Sequence, residues 1–142
     1  MITSRSLTDL HEIVRNKAQA HIVACSEEGI DLLVTCTYRD SEEQDRLYAI
    51  GRTKPGSKVT NAKGGQSFHN YRIAYDVVPL RNGKPVWKTT GEEGKLWQRV
   101  GELGEALGLE WAGRWKGRLR EFPHFQFTGG HPLAYFQGGG KL

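Results

Sequence analysis

Residues 67–80 have the sequence Ser-Phe-His-Asn-Tyr-Arg-Ile-Ala-Tyr-Asp-Val-Val-Pro-Leu, and the second half of this stretch decides the fold. From Ile73 to Leu80 the chain is apolar and rich in β-branched residues, which predicts a buried strand. The next residues, Arg81-Asn-Gly-Lys84, supply an Asn-Gly turn into Pro85-Val-Trp87, so we expect a β-hairpin. Asp76 interrupts the apolar run, and its charge is costly there unless backbone amides, a charged partner or a metal ion satisfies it.

Helices and further strands are expected on both sides of this hairpin. Ser41 and Gln44 fit a capping box with Ser41 as the N-cap, which opens a helix. The order of elements predicts a single α+β domain with a small, mostly antiparallel sheet and flanking helices. The expected elements outside the hairpin are a helix over 7–28, a strand over 31–38, a helix over 41–51, a helix over 96–107 and strands near 109–115 and 124–128.

Length and composition narrow the class of protein. The 142 residues suffice for one domain, and 37% hydrophobic with 25% charged residues argues against disorder. No apolar stretch approaches the roughly 18 residues of a membrane span, and the first fifteen residues lack the apolar segment of a signal peptide. The net charge of +4 suits an anionic polymer without requiring one. Cys25 and Cys36, in no CxxC pattern, are expected to be free buried thiols.

Two histidines have acidic residues close by in the sequence. His69 precedes Asp76 by seven residues, so the chain must turn back between them if both bind one metal ion. His124 is expected to begin a strand after Pro123, with Glu121 just before it. Three ligands and a free carboxylate would complete a hydrolytic zinc site, whereas the alternative is a lone strand histidine beside a surface glutamate.

Three stretches resemble one enzyme family. SFHNYRIAYD, residues 67–76, resembles the S-x-H-x-x-G-x-A-x-D signature of the zinc D-Ala-D-Ala carboxypeptidase/L-Ala-D-Glu endopeptidase family. EFPHF, residues 121–125, resembles its second signature, an acidic residue three places before a histidine. TYRDSEEQDRLYAIGRT, residues 37–53, is similar to the phage endolysin branch. The resemblance spans about residues 30–130 and implies a hedgehog/DD-peptidase-like fold.

The resemblance implies roles for particular residues. His69, Asp76 and His124 would bind one Zn²⁺, and Glu121 would be the catalytic base. Arg39 would act catalytically near the scissile carbonyl or bind a substrate carboxylate, unless it pairs with the acidic start of the next helix. Ser67 and Arg72 would line the substrate site.

Arg72 stands where the signature has glycine. A positive φ there costs a non-glycine residue roughly 1 kcal/mol or more, so either the turn is remodelled or Arg72 points into the cleft. The domain boundaries expected are 1–130 for the zinc peptidase domain and 131–142 for a loosely packed, glycine-rich tail.

The leading hypothesis is therefore a zinc peptidase, an endolysin that hydrolyses the peptidoglycan stem peptide at the L-Ala–D-Glu bond. It would be a monomer made in the host cytoplasm and released through a holin-type pore. D-Ala-D-Ala carboxypeptidase activity is an alternative. Non-catalytic binding of murein or nucleic acid is another, since four basic residues alternate near two tryptophans and would share a strand face: Arg114, Lys116, Arg118 and Arg120.

Overall fold

Four α-helices and five β-strands form the protein, and the computed structural model describes every residue from Met1 to Leu142. The helices are α1 (Glu12–Glu27), α2 (Ser41–Ala49), α3 (Gly91–Glu105) and α4 (Leu133–Gln137). The strands are β1 (Asp31–Cys36), β2 (Ala74–Arg81), β3 (Lys84–Pro85), β4 (Glu110–Trp111) and β5 (His124–Gln126). The longest helix, α1, has 16 residues, and none of the helices qualifies as a membrane span.

All strand pairs are antiparallel, and the strand order in the sheet is β1-β2-β5-β4. Strand β3 pairs with the last two residues of β2, Leu80 and Arg81. The α+β fold with an antiparallel sheet is thus confirmed. Across the middle of the sheet, Asp76 of β2 lies opposite Cys36 of β1 on one side and His124 of β5 on the other. Directly opposed residues in antiparallel strands are close neighbours, so the register alone brings these three side chains together.

The expected hairpin follows β2. Arg81 pairs with Lys84, and the two residues between them, Asn82 and Gly83, have φ values of 54° and 75°. Two consecutive left-handed residues are what a type I′ turn requires, and Asn-Gly is its preferred pair.

The first helix is shorter than its apolar pattern predicts. A 3₁₀ turn covers Leu7–Asp9, and α1 begins only after His11, whose Nδ1 accepts a hydrogen bond from the amide of Ile13 at 3.2 Å. The continuous helix over 7–28 was therefore wrong, because a side-chain cap interrupts the periodic run. The core face was right, since Val14, Ala18, His21 and Cys25 are all buried.

The N-cap of α2 is Asp40, not Ser41. The Asp40 carboxylate accepts a hydrogen bond from the amide of Glu43 at 2.8 Å, as an N-cap does. Gln44 is fully buried and binds other groups, so the predicted capping box does not form.

Helix α3 packs closely on the sheet because it carries glycines at the contact. A Cβ at Gly101 would lie 2.2 Å from the ring of Trp111, and one at Gly104 would lie 2.6 Å from the ring of Phe125. Both rings are buried, and they belong to β4 and β5. The two glycines thus set how closely α3 approaches the strand that carries His124.

The strand expected near 109–115 is only two residues long. Two 3₁₀ turns, Ala112–Arg114 and Gly117–Leu119, follow it, so the four basic residues of this segment do not alternate on one strand face. Arg114 instead pairs with Glu105 at 2.9 Å. The basic strand face proposed for nucleic-acid binding was wrong.

The last twelve residues are mostly exposed, but one of their side chains is anchored in the core. They include α4, and Phe136 on this helix is only 4% exposed. Its ring contacts the rings of Phe68 and Tyr71, so α4 is attached to the domain although most of the segment 131–142 is exposed.

Candidate active site

Three donor atoms converge at the middle of the sheet. Asp76 Oδ1 lies 3.1 Å from His69 Nε2 and 3.2 Å from His124 Nδ1. Asp76 and His124 meet through the β2–β5 register, while His69 arrives on a 3₁₀ turn, Phe68–Tyr71. The chain turns back at Arg72, which has φ 65° and ψ 26°. The sequence required such a reversal between His69 and Asp76.

The turn that carries His69 is held by a capping box. Ser67 Oγ accepts a hydrogen bond from the amide of His69 at 3.2 Å, and Asn70 Oδ1 accepts one from the amide of Ser67 at 3.2 Å. Asn70 also donates from Nδ2 to the carbonyl of Arg39 at 2.9 Å, and the amide of Arg39 donates to the carbonyl of His69. The turn is therefore tied to the segment that carries Arg39.

Each histidine has an acceptor on its outer side, away from Asp76. The outer nitrogen of His69, Nδ1, lies 2.9 Å from the main-chain carbonyl of Thr37, which can only accept. The outer nitrogen of His124, Nε2, lies 2.8 Å from Gln126 Oε1, while the amide nitrogen of Gln126 is directed at Glu110. In the neutral rings the hydrogen therefore sits on the outer nitrogen, and the inner nitrogens present lone pairs to the carboxylate.

This arrangement fits a zinc ion. Two lone pairs and a carboxylate facing one another repel unless a cation or added protons lie between them. Ligand atoms bound tetrahedrally to zinc at about 2.0–2.1 Å are roughly 3.3 Å apart, close to the 3.1 and 3.2 Å observed. The outer acceptors at Thr37 and Gln126 also orient the rings as partners of metal-bound histidines do.

The charges of the cluster shift its titration when no metal is bound. Burial opposes a charge on His69, yet the nearby Asp76 carboxylate raises the pKa of His69 well above its ordinary value. Burial likewise opposes ionisation of Asp76, but the charge of His69 and hydrogen bonds from both histidines hold the pKa of Asp76 well below its usual range. Asp76 therefore stays ionised, and a metal ion that binds here displaces a proton from His69.

Cys36 lies close to the cluster. Its thiol, His69 and Asp76 have ligand atoms within 4.8 Å of one another, which makes a second possible donor set. The Cys36 sulfur is 3.5 Å from Nδ1 of His69, the nitrogen that faces Thr37, and not from the nitrogen that faces Asp76. Both cysteines are free and buried, as the sequence predicted.

Glu121 stands beside the three donors without joining them. Its carboxylate oxygen is 3.8 Å from His124 Nδ1, and its side chain is 55% exposed. It lines a cleft of about 820 Å³ that opens onto the cluster, together with Arg39 and Ser67. A carboxylate in this place can exchange protons with a water molecule in the cleft.

Arg39 does not pair with the acidic start of α2. Its Nη1 donates to Gln44 Oε1 at 3.1 Å and its Nη2 to the Cys36 sulfur at 3.4 Å. Its Nε is buried without a partner. Gln44 also donates to the carbonyl of Ala62, so it fixes Arg39 relative to the loop that forms one wall of the cleft.

Arg72 is the one candidate that the structure does not bring to the cleft. Its guanidinium lies 3.8 Å above the ring of Tyr38, and its Nη1 donates to the carbonyl of Asp9 at 2.9 Å. The turn keeps the positive φ that suits glycine, so neither expected alternative, a remodelled turn or an Arg72 side chain in the cleft, is observed.

Three supporting residues did not emerge from the sequence: Thr37, Gln44 and Gln126. Gln126 is two residues after His124 on the same strand, so alternation could have placed both on one face. The sequence predicts a capping role for Gln44 instead. Thr37 acts through its main-chain carbonyl, which leaves no signal in the residue type.

Fold and site together define a small α+β hydrolase domain with a His-Asp-His cluster and a separate carboxylate in its cleft. Residues 60–127 match the M15 peptidase model described as D-alanyl-D-alanine carboxypeptidase. The chain belongs to the M15 peptidase family, as its two signatures indicated.

Similar proteins support this assignment. The chain is 41% identical over 124 residues to the peptidoglycan L-alanyl-D-glutamate endopeptidase CwlK of Bacillus subtilis (strain 168), a match covering 84% of this chain and 74% of CwlK. The L-Ala D-Glu endopeptidase ChiX of Serratia marcescens has a TM-score of 0.63 at 20% identity over 89% of both chains. The vancomycin-resistance D,D-pentapeptidase VanY, solved with Zn(II), has a TM-score of 0.62 at 14% identity, covering 91% of this chain and 78% of VanY. ChiX and VanY share the fold of this chain.

Proposed function

We propose that the protein is a zinc-dependent peptidoglycan endopeptidase that hydrolyses the L-Ala–D-Glu bond of the stem peptide. The proposal rests on the convergence of His69, Asp76 and His124 on one point. The Glu121 carboxylate lies beside them, 3.8 Å from His124 Nδ1. The likeness to CwlK supports the choice of bond.

In this proposal His69 Nε2, Asp76 Oδ1 and His124 Nδ1 hold the zinc. The bound ion supplies a Lewis acid that polarises the scissile carbonyl and lowers the pKa of water to about 7. Thr37 and Gln126 keep the hydrogens of the two imidazoles on the outer nitrogens, so the inner ones stay free to bind.

Glu121 is the proposed general base. It accepts a proton from the attacking water and later returns it to the nitrogen of the leaving D-Glu residue, so no net proton is consumed in the peptide cleavage step. Because Glu121 is exposed in the cleft, its carboxylate can reach both the attacking water and the leaving nitrogen.

Arg39 and Ser67 are proposed to bind substrate from the cleft wall. The guanidinium of Arg39 is held by Gln44, so it can donate to a substrate carbonyl or carboxylate without first being ordered. The cleft wall also includes Arg118, whose charge suits the carboxylates of a murein peptide.

The test is a digest of purified murein, with products identified by mass spectrometry. Cleavage at the proposed bond leaves L-Ala on the glycan and releases peptides that begin with D-Glu. Chelation should stop the reaction, and zinc should restore it. An intact stem peptide after incubation with zinc-loaded enzyme would contradict the proposal.

The second candidate is D-Ala-D-Ala carboxypeptidase, because the matching family model carries that description. The same digest separates the two activities. Carboxypeptidase action removes only the terminal D-Ala and leaves the L-Ala–D-Glu bond intact.

We further propose lysis of a phage host as the biological setting, on the basis of the similarity of residues 37–53 to the endolysin branch. Bacteria expressing the protein in the cytoplasm should lyse only when a holin is co-expressed. Lysis that does not depend on the holin would contradict release through such a pore.

A further inference from the structure

We propose that Phe136 and Gln137 of α4 are positioning residues for the metal site, because they hold the 3₁₀ turn that carries His69. The inference rests on the zinc site proposed above. It assigns residues 131–142 to the working unit, which differs from a peptidase domain that ends at residue 130.

The first contact is aromatic. The ring centroid of Phe136 lies 6.1 Å from that of Phe68 and 6.1 Å from that of Tyr71. Phe68 and Tyr71 are the first and last residues of the turn, and His69 lies between them. Phe136 therefore packs against both ends of the turn and is itself buried.

The second contact is a shared hydrogen-bond acceptor. The main-chain carbonyl of Gly65 accepts from Gln137 Nε2 at 3.0 Å and from the Tyr71 hydroxyl at 2.7 Å. The amide of Gly65 donates to Asn70 Oδ1 at 2.9 Å. One residue thus joins α4, the turn and the loop before it.

The turn needs this support from outside. It is four residues long and is followed by Arg72 in the left-handed region. A single 3₁₀ turn has few hydrogen bonds of its own, and its conformation depends on packing. His69 must nevertheless hold Nε2 about 3 Å from Asp76, since a misplaced ligand weakens the site.

The test compares zinc affinities in the full chain, measured by competition with a chelator of known affinity. Phe136→Ala should bind zinc roughly 10-fold more weakly than the parent, at the lower end of the loss that follows removal of a hydrogen-bonding partner of a metal ligand. Phe136→Leu, which keeps most of the volume, should recover most of the affinity.

Ile30→Ala is the matched control for general destabilisation. Ile30 is buried in the same core cluster, but it lies beside the start of β1, where Asp31 pairs with Leu80, four residues along β2 from Asp76. This variant should lose stability while binding zinc within about twofold of the parent. Equal zinc affinity for Phe136→Ala and Ile30→Ala would overturn the inference.

Gln137→Ala keeps the proposal testable if Phe136→Ala does not fold. Gln137 is exposed, so its truncation removes little beyond the hydrogen bond to Gly65. Zinc affinity should fall by a few-fold, and an unchanged affinity would count against the inference. A parent protein that binds no zinc would instead refute the proposed function, so the two failures are distinguishable.

Discussion

Glu121 is the acidic residue whose role is separated most cleanly from ligand binding. Glu121→Gln leaves the three proposed ligands in place and nearly preserves the side-chain volume. We expect zinc content and melting temperature close to those of the parent, with kcat lower by roughly 10²-fold or more and KM little changed. Elemental analysis and murein kinetics measure these quantities.

Asp76→Ala provides the contrast. This change removes the carboxylate that faces both histidines, so zinc should be lost together with activity. If Glu121→Gln also loses its zinc, Glu121 is a ligand. If it keeps near-parental turnover, the base lies elsewhere.

Arg72 combines a strained backbone with favourable side-chain contacts. Arg72→Gly relieves the positive φ, worth about 1 kcal/mol, but loses the stacking on Tyr38, worth about 0.5–1 kcal/mol. We expect near-parental stability. Arg72→Ala keeps the strain and loses the same contacts, so it should be less stable than Arg72→Gly by about 1 kcal/mol. Urea denaturation compares the two, and equal stabilities would mean that no strain exists.

Among the elements, α1 is joined to the sheet and to α3 by one buried side chain. His21 Nδ1 accepts from the Tyr75 hydroxyl at 2.7 Å, and Nε2 donates to the carbonyl of Val100 at 2.8 Å. Burial lowers the pKa of His21, although the Val100 carbonyl opposes this effect. The folded protein therefore holds the neutral ring.

Because the pKa of His21 differs between the folded and unfolded chains, the folding stability depends on pH. The pKa of His21 is lower in the folded chain than its value of about 6.5 in the unfolded chain. At pH values above about 6.5 this difference costs the folded state nothing, and as the pH falls from about 6.5 toward the folded pKa the folded state loses stability relative to the unfolded state. One such proton changes the free energy of unfolding by up to about 1.4 kcal/mol per pH unit. The raised pKa of metal-free His69 acts in the opposite sense, so the comparison between variants carries the test. Between pH 7 and 5 the metal-free parent should lose more stability than metal-free His21→Gln. Parallel slopes in denaturant titrations would contradict this origin.

The limits of sequence prediction are also visible at this scale. Strong apolar runs in the sequence predict β2 and the buried face of α1. The two signatures predict the candidate site residues: His69, Asp76, His124 and Glu121. The short strands β4 and β5 depend on pairing with β2, so local pattern overestimated their length. Register also decides that Cys36 lies opposite Asp76, and register cannot be read from either segment alone.

For the whole molecule, the proposed zinc links folding to metal supply. Chelation should lower the melting temperature, because an ion that binds only the folded chain stabilises it by mass action. A free concentration 1,000 times Kd contributes about 4 kcal/mol, which corresponds to roughly 10 °C for a chain of this size. Asp76→Ala should be insensitive to chelator. A parent shown to be metal-free, yet melting at the holo temperature, would contradict the coupling.

The β2–β5 register has a consequence for when the metal enters. Asp76 and His124 are 48 positions apart (124 − 76), and the register has already brought them together. In an unfolded chain, closing a loop of that length costs about 4 kcal/mol, a factor of about 1,000 in affinity. In the folded protein the pairing of β2 with β5 has already closed this loop, so zinc binding does not bear that cost. Zinc uptake should therefore follow strand pairing during refolding, and an isolated peptide of residues 67–76 should be a poor chelator.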